Sequence, residues 1–134
     1  MAAPGAEAIP IRRDDDVVRV RQEVRRHAQA MAFSLVEQTK LVTAASELAR
    51  NTLVYGGGGE AHIQILEHGG LRGVQLVFSD EGPGIPDVEQ ALRDGFTTGG
   101  GLGLGLGGAR RLVSEMTIDS APGRGTRITV VKWR

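Results

Sequence analysis

The sequence predicts an α+β fold, a two-layer α/β sandwich with one mixed sheet and its helices on one face, and three observations carry that prediction. Apolar residues alternate at every second position in several short segments, as in Ile63 and Ile65 or Leu76 and Phe78. Two longer segments near the N-terminus repeat them at helical spacing instead. The resulting order, β-α-α-β-β-α-β-β, shows no internal repeat and no break in composition, so residues 1–134 are expected to form a single domain, with 1–8 as a flexible tail.

The elements follow in order. Ile9 and Ile11 alternate with Pro10 and Arg12 as a short first strand. Asp14, Asp15 and Asp16 then supply N-cap and first-turn acids, which the positive end of a helix favours. The helix they open carries Val17, Val20, Val24, Ala28 and Met31 on one stripe, and Arg19, Arg21, Arg25 and Arg26 on a face that is either solvated or a docking surface. Ser34 with Glu37 fits a capping box. Leu41, Ala45, Leu48, Thr52 and Tyr55 continue a second stripe that stops at the run Gly56 to Gly59. Strands around Ala61–Ile65 and Val74–Phe78 are joined by the segment His68 to Gly73. Pro86 announces at most a short helix over Asp87 to Arg93, Ala109 to Glu115 predicts a further helix, and strands at Ile118 and from Arg127 to Trp133 surround Pro122-Gly123-Arg124-Gly125.

Sixteen Lys and Arg balance sixteen Asp and Glu, which argues against a nucleic-acid or membrane binder working by bulk positive charge. With no cysteine there is no disulfide framework, thiolate zinc site or cysteine nucleophile, and a cytoplasmic protein is expected. No apolar stretch approaches the about eighteen residues of a membrane span, and the N-terminus lacks the pattern of a secretory signal. His27, His62 and His68 fall at no metal-ligand spacing and are expected to be surface or sheet residues.

Glycine is the outlier: twenty residues, roughly twice the usual share of about 7%. They are concentrated in Gly56 to Gly59, in the string Asp80-Glu81-Gly82-Pro83-Gly84-Ile85-Pro86, and in Gly95 to Gly108. Such packing between periodic segments suggests loops that adopt unusual backbone angles or approach a ligand closely.

Candidate chemistry sits at those loops. Glu47 and Asn51 are four apart on the second helix and share a face. A carboxylate can accept a proton and an amide oxygen suits Mg²⁺, although such a pair also fits a plain helix surface. Asp80 ends an apolar strand, where it can accept a hydrogen bond from an exocyclic amine while Gly82 and Gly84 let a flat ring approach; a simple β-turn uses Asp in the same way. Gly99 to Gly108 runs into a helix and offers backbone N–H groups to an anion. Gly103, Gly105 and Gly108 spell GxGxxG, but no apolar strand precedes them as a dinucleotide fold requires. Lys40 and Lys132 are the only lysines, so there is no Walker motif.

Glu-x-x-x-Asn on a helix, Asp-x-Gly-x-Gly after a strand, a Gly-Leu-Gly-Leu-Gly loop before a helix and Gly125-Thr126 before a last strand arrive in an order that resembles the GHKL (Bergerat) ATP-binding fold. That fold is shared by histidine-kinase catalytic domains, gyrase, Hsp90, MutL and small bacterial anti-sigma-factor kinases. The strings SELARN, DEGPGIPD, DGFTTGGGLGLGL and VVKWR are similar to the RsbT-like switch-kinase family of serine/threonine kinases, and the likeness spans nearly the whole chain. The resemblance implies ATP and Mg²⁺ as cofactors. It implies Asn51 as the Mg²⁺ ligand and Glu47 as the group that orients or deprotonates a protein hydroxyl. Asp80 would bind the adenine amino group, with Gly82, Gly84 and Ile85 shaping the pocket and Thr126 supporting the adenine end. Gly101, Leu102, Gly103, Leu104 and Gly105 would belong to the lid and phosphate-binding turn. Related sigma-factor antagonists place an arginine just before the lid glycines; this chain has Thr97 and Thr98 there, leaving Arg50 and Arg93 as nearby cations. The implied partners are STAS-domain antagonist and co-antagonist proteins of a stressosome and the N-terminal domain of a PP2C-type phosphatase. The alternative is an anti-sigma factor that sequesters a sigma subunit. A histidine-kinase catalytic domain is disfavoured, since no dimerisation helix with a phosphorylatable His precedes it.

Overall fold

A computed structural model describes residues 7–92 and 105–134. The elements are β1 (Glu7–Ile11), α1 (Asp14–Ala30), α2 (Leu35–Val54), β2 (Gly59–His68), β3 (Leu71–Asp80), α3 (Val88–Ala91), α4 (Gly105–Arg111), β4 (Glu115–Ser120) and β5 (Thr126–Trp133). The sheet order is β1-β2-β3-β5-β4. Every pairing is antiparallel, which corrects the expectation of a mixed sheet. The physical reason lies in the connections. β2–β3 and β4–β5 are hairpins, the two-helix excursion before β2 returns the chain against β1, and β5 lies between β3 and β4, so those two strands, which run the same way, never pair. β1 begins at Glu7, inside the stretch expected to be a tail.

Both long helices form for the reasons their sequences suggest. The α1 stripe buries Val17, Val20, Val24 and Ala28, and α2 buries Leu41, Ala45, Leu48 and Thr52. Tyr55, expected on that stripe, instead lies just past the helix end and is exposed. The helices cover the sheet face that carries Ile9, Ile11, Ala61, Ile63, Val74, Leu76, Phe78, Ile128 and Val130, and together these residues make the core. Removing such side chains from water, at about 1.5–3 kcal/mol each, is the main force holding the layers together.

The caps differ in detail from the sequence pattern. The N-cap of α1 is Arg13 rather than an aspartate. Asp16, the third helical residue, turns its carboxylate back to accept the backbone N–H groups of Arg12 at 2.8 Å and Arg13 at 3.1 Å. Those bonds, the one from Arg12 first, hold its pKa below the usual carboxylate range. At α2 the Ser34 hydroxyl accepts the Glu37 N–H at 3.1 Å. The Glu37 carboxylate is directed elsewhere, to Lys132 Nζ at 2.6 Å.

Two loops also differ. His68 to Gly73, expected to be a six-residue connection, is a two-residue turn in which His68 pairs directly with Leu71. Gly69 and Gly70 have φ of 58° and 84°, the left-handed pair that a tight hairpin with right-handed twist needs. The helix expected over Ala109 to Glu115 instead spans Gly105–Arg111, and Glu115 opens β4. The Ser114 N–H donates to the Val131 carbonyl at 2.9 Å, so pairing with β5 overrides local helix preference from there on. α3 is one short turn within the range expected.

Lys132 ties the layers. Its Nζ, on β5, also donates to the Leu112 carbonyl at 3.0 Å, so a buried ammonium joins the end of α4 to the start of α2. The Lys132 hydrogen bond is the chief cause of a lowered Glu37 pKa. Lys132→Met is expected to lower the melting temperature by about 5 °C at pH 7. A depressed carboxylate stabilises above its unfolded pKa and stops doing so as pH falls through its folded value. The difference between the two proteins should therefore shrink toward pH 3, which thermal melts across pH would record.

Candidate nucleotide site

One transverse row of the sheet organises the site. Ile11 faces Gly59, Gly59 faces Asp80, Asp80 faces Thr126, and Thr126 faces Ser120, across all five strands. Because side chains alternate along a strand, Asp80 and Thr126 lie on the face of Phe78 and Ile128, toward the helices. The site is therefore at the open end of the sandwich, one pleat beyond the core. Directly paired residues hold their Cβ atoms about 4.5–5.5 Å apart, so Asp80 and Thr126, distant in sequence, act as neighbours.

The end of α2 closes on this row. The Asn51 carbonyl accepts the N–H groups of Tyr55 at 3.0 Å and Gly56 at 3.1 Å. Gly56 packs so tightly on the Asp80 carboxyl group that a Cβ there would collide with it, and a Cβ on Gly82 would come within 2.8 Å of the Gly56 backbone. The glycine run after Asn51 and the turn after Asp80 are thus a single close contact. Glu47 and Asn51 are half-buried on α2, and neither side chain makes a hydrogen bond or ion pair with another described residue.

Hydrogen bonds define what the row can recognise. Asp80 Oδ1 accepts the Gly82 N–H at 2.9 Å, leaving lone pairs on the other oxygen. Ser120 Oγ accepts the Ile85 N–H at 2.8 Å and donates its one proton to the Gly125 carbonyl at 3.0 Å. The Thr126 hydroxyl, 2.9 Å from Ser120 Oγ, must then donate to it and keeps its own lone pairs. Asp80 and Thr126 therefore present acceptors side by side, a surface suited to N–H donors such as the exocyclic amine of a purine. The Pro83 carbonyl accepts the Gly123 N–H at 2.7 Å, and Gly84 packs against the Ala121 carbonyl, fixing the 81–86 turn on the β4–β5 loop.

The predicted residues Glu47, Asn51, Asp80, Gly82, Gly84, Ile85 and Thr126 all belong to this end of the fold, and Gly105 opens α4, which packs on α2. Gly101, Leu102, Gly103 and Leu104 lie outside the described residues, as do Arg93, Thr97 and Thr98. Ser120 was missed from sequence. A serine at the end of a weakly patterned strand gives no signal until Gly125 and Ile85 are folded around it. Ser120→Ala should weaken purine-nucleotide affinity about tenfold by orphaning the Ile85 N–H and freeing the Thr126 hydroxyl; titration calorimetry with ATP is the check.

The chain is similar to known proteins. The model of the histidine kinase-, DNA gyrase B- and HSP90-like ATPase family matches residues 36–134. The chain belongs to that family. It is 43% identical over 118 residues to the serine/threonine-protein kinase RsbT of Bacillus subtilis, covering 88% of this chain and 89% of that one. It is 34% identical over 103 residues to an anti-sigma F factor of Bacillus licheniformis, covering 72% and 69%. Among solved structures, the RsbU and RsbW domains of a Mycobacterium tuberculosis protein superpose with a TM-score of 0.66 at 20% identity, over 96% of this chain and 33% of that longer one. A mycobacterial sensor histidine kinase, MprB, superposes with a TM-score of 0.58 at 20% identity, over 95% of this chain and 96% of the other. These two likenesses show the fold alone. Among the described residues, no helix is long and apolar enough to cross a membrane.

Proposed function

We propose that this chain is an ATP-dependent serine/threonine protein kinase of the RsbT type. Its substrates would be STAS-domain antagonist and co-antagonist proteins of a cytoplasmic stressosome. Phosphorylation would release the kinase to bind the N-terminal domain of a PP2C-type phosphatase. The observation that supports this best is the pairing of Asp80 with Thr126 beneath the end of α2, where one cross-strand pair offers adjacent acceptors to an adenine amine. The likeness to RsbT supports the choice of kinase within the family.

In this reading Asp80 and Thr126 take the adenine end, Gly82, Gly84 and Ile85 wall the pocket, and Gly101 to Gly105 serve the phosphates. The Asn51 amide, half-buried and without a described hydrogen-bond partner, fits a Mg²⁺ ion held mainly by phosphate oxygens. Mg²⁺ would neutralise charge on the phosphates as the γ-phosphoryl group leaves. Glu47, one turn before Asn51, would accept the proton of the substrate hydroxyl as its oxygen bonds to phosphorus and ADP departs. Phosphoryl transfer depends mostly on positioning and charge stabilisation, which suits a site built from loop amides and few side chains.

The arginines of α1 would serve partner docking. Arg21 and Arg25 line a groove of about 310 Å³ with Val18 and Val42. The test of the whole reading is incubation with labelled ATP and a STAS-domain protein encoded nearby, followed by mapping of the label. Label on a serine or threonine supports the kinase. Absence of label together with nucleotide-dependent capture of a sigma subunit would instead establish the anti-sigma reading, which the relative from Bacillus licheniformis favours.

A further inference from the structure

Away from the nucleotide row, β1 and α1 bring two carboxylates and an imidazole together. Glu7 comes from the strand, while Glu23 and His27 lie one turn apart on the helix. One donor atom from each falls within 4.8 Å of the others. His27 Nδ1 is 2.8 Å from the Glu23 carbonyl oxygen. That oxygen can only accept, so Nδ1 carries the proton and the neutral ring keeps its lone pair on Nε2. Nε2 stands 3.7 Å from Glu7 Oε1, and the ring is only 12% exposed, so the lone pair faces the carboxylates rather than water. A backbone carbonyl that fixes the second ring nitrogen is one of the outer contacts that orient metal-binding histidines.

A cation already sits beside these groups. Arg26 lies 3.1 Å from Glu7 Oε1 and 2.7 Å from Glu23 Oε2. Its side chain is 61% exposed and can swing outward, and an exposed pair of this kind competes weakly with a divalent ion. One imidazole nitrogen with two carboxylate oxygens suits Zn²⁺, whereas Mg²⁺ and Ca²⁺ want all-oxygen shells with more ligands. Zinc bonds of about 2.0–2.2 Å in a tetrahedral set place donors roughly 3.3–3.6 Å apart, so groups within 4.8 Å of one another need close by no more than about 1.5 Å.

We propose that Glu7, Glu23 and His27 form a binding site for Zn²⁺ that pins the edge strand β1 to α1, with water in the fourth position. It is separate from the nucleotide end. Glu7 is four residues along β1 from Ile11, the member of the Asp80 row, and at about 3.4 Å per residue that is about 14 Å.

The test uses the untagged full chain, stripped with a chelator and without nucleotide. It is titrated with ZnCl₂ by calorimetry and with CoCl₂ by visible absorption. One equivalent should bind, with Co²⁺ bands of tetrahedral intensity. His27→Ala and Glu7→Gln should each weaken Zn²⁺ binding about tenfold or more. Arg26→Ala, which removes the competing cation, should tighten it. His62→Ala should change nothing, because among the described residues its ring pairs with Glu60 alone, at 3.9 Å. The absence of saturable one-equivalent binding would overturn the proposal. So would wild-type titration by Glu7→Gln, a variant that changes no residue of α1, or loss of binding in His62→Ala.

Discussion

Asp80→Asn is expected to weaken ATP binding about 100-fold or more while leaving the unfolding midpoint nearly unchanged. The asymmetry follows from what each oxygen does. An asparagine can still accept the Gly82 N–H with its one oxygen, so the turn survives. Its NH₂ group then stands where the carboxylate offered lone pairs and faces the purine amine donor to donor. Losing a charge-assisted hydrogen bond costs about 1.5–3 kcal/mol, and opposing two donors adds to that, which reaches the about 2.7 kcal/mol that 100-fold requires. Calorimetric titration with ATP beside a urea melt separates the two effects. Wild-type affinity would remove Asp80 from the site; a collapsed melt would show that the carboxylate is needed for the contact with Gly56 instead.

Glu47→Gln should do the opposite. Glu47 has no described partner to lose, so the fold and ATP affinity should stay near wild type. The rate of transfer to a serine or threonine hydroxyl should fall about 10²- to 10⁴-fold, the usual contribution of a positioned base. Single-turnover transfer from pre-bound labelled ATP to a STAS-domain acceptor isolates that step. Equal transfer rates would leave Glu47 as a surface residue of α2. Loss of ATP affinity in this variant would place it on the nucleotide rather than the acceptor.

Much of this molecule was legible before folding. The stripes from Val17 to Ala28 and from Leu41 to Thr52, and the alternation of Val74, Leu76 and Phe78, are burial written in periods of 3.6 and 2, and the core follows them residue by residue. Glu47 with Asn51 was legible because both lie on one helix. Asp80 with Gly82 was legible because a turn is a local object.

What could not be read was contact between distant segments. Glu115 belonged to a helix by local preference and to β4 by its ladder with β5. Ser120 and Lys132 are unremarkable until three elements meet on each of them. The three histidines offered no metal spacing, and Glu7 stands too far upstream of Glu23 and His27 to form a motif and reaches them only through the fold.

Sequence alone determined which faces are apolar, where the two long helices lie, and which loops are glycine-rich. Those properties depend on backbone sterics and on the hydrophobic period within one segment. Only the tertiary structure decided that Asp80 faces Thr126, that Gly56 closes on Asp80, and that the sheet is antiparallel throughout. Strand order and register minimise the free energy of the assembled layers, and no single segment encodes that minimum.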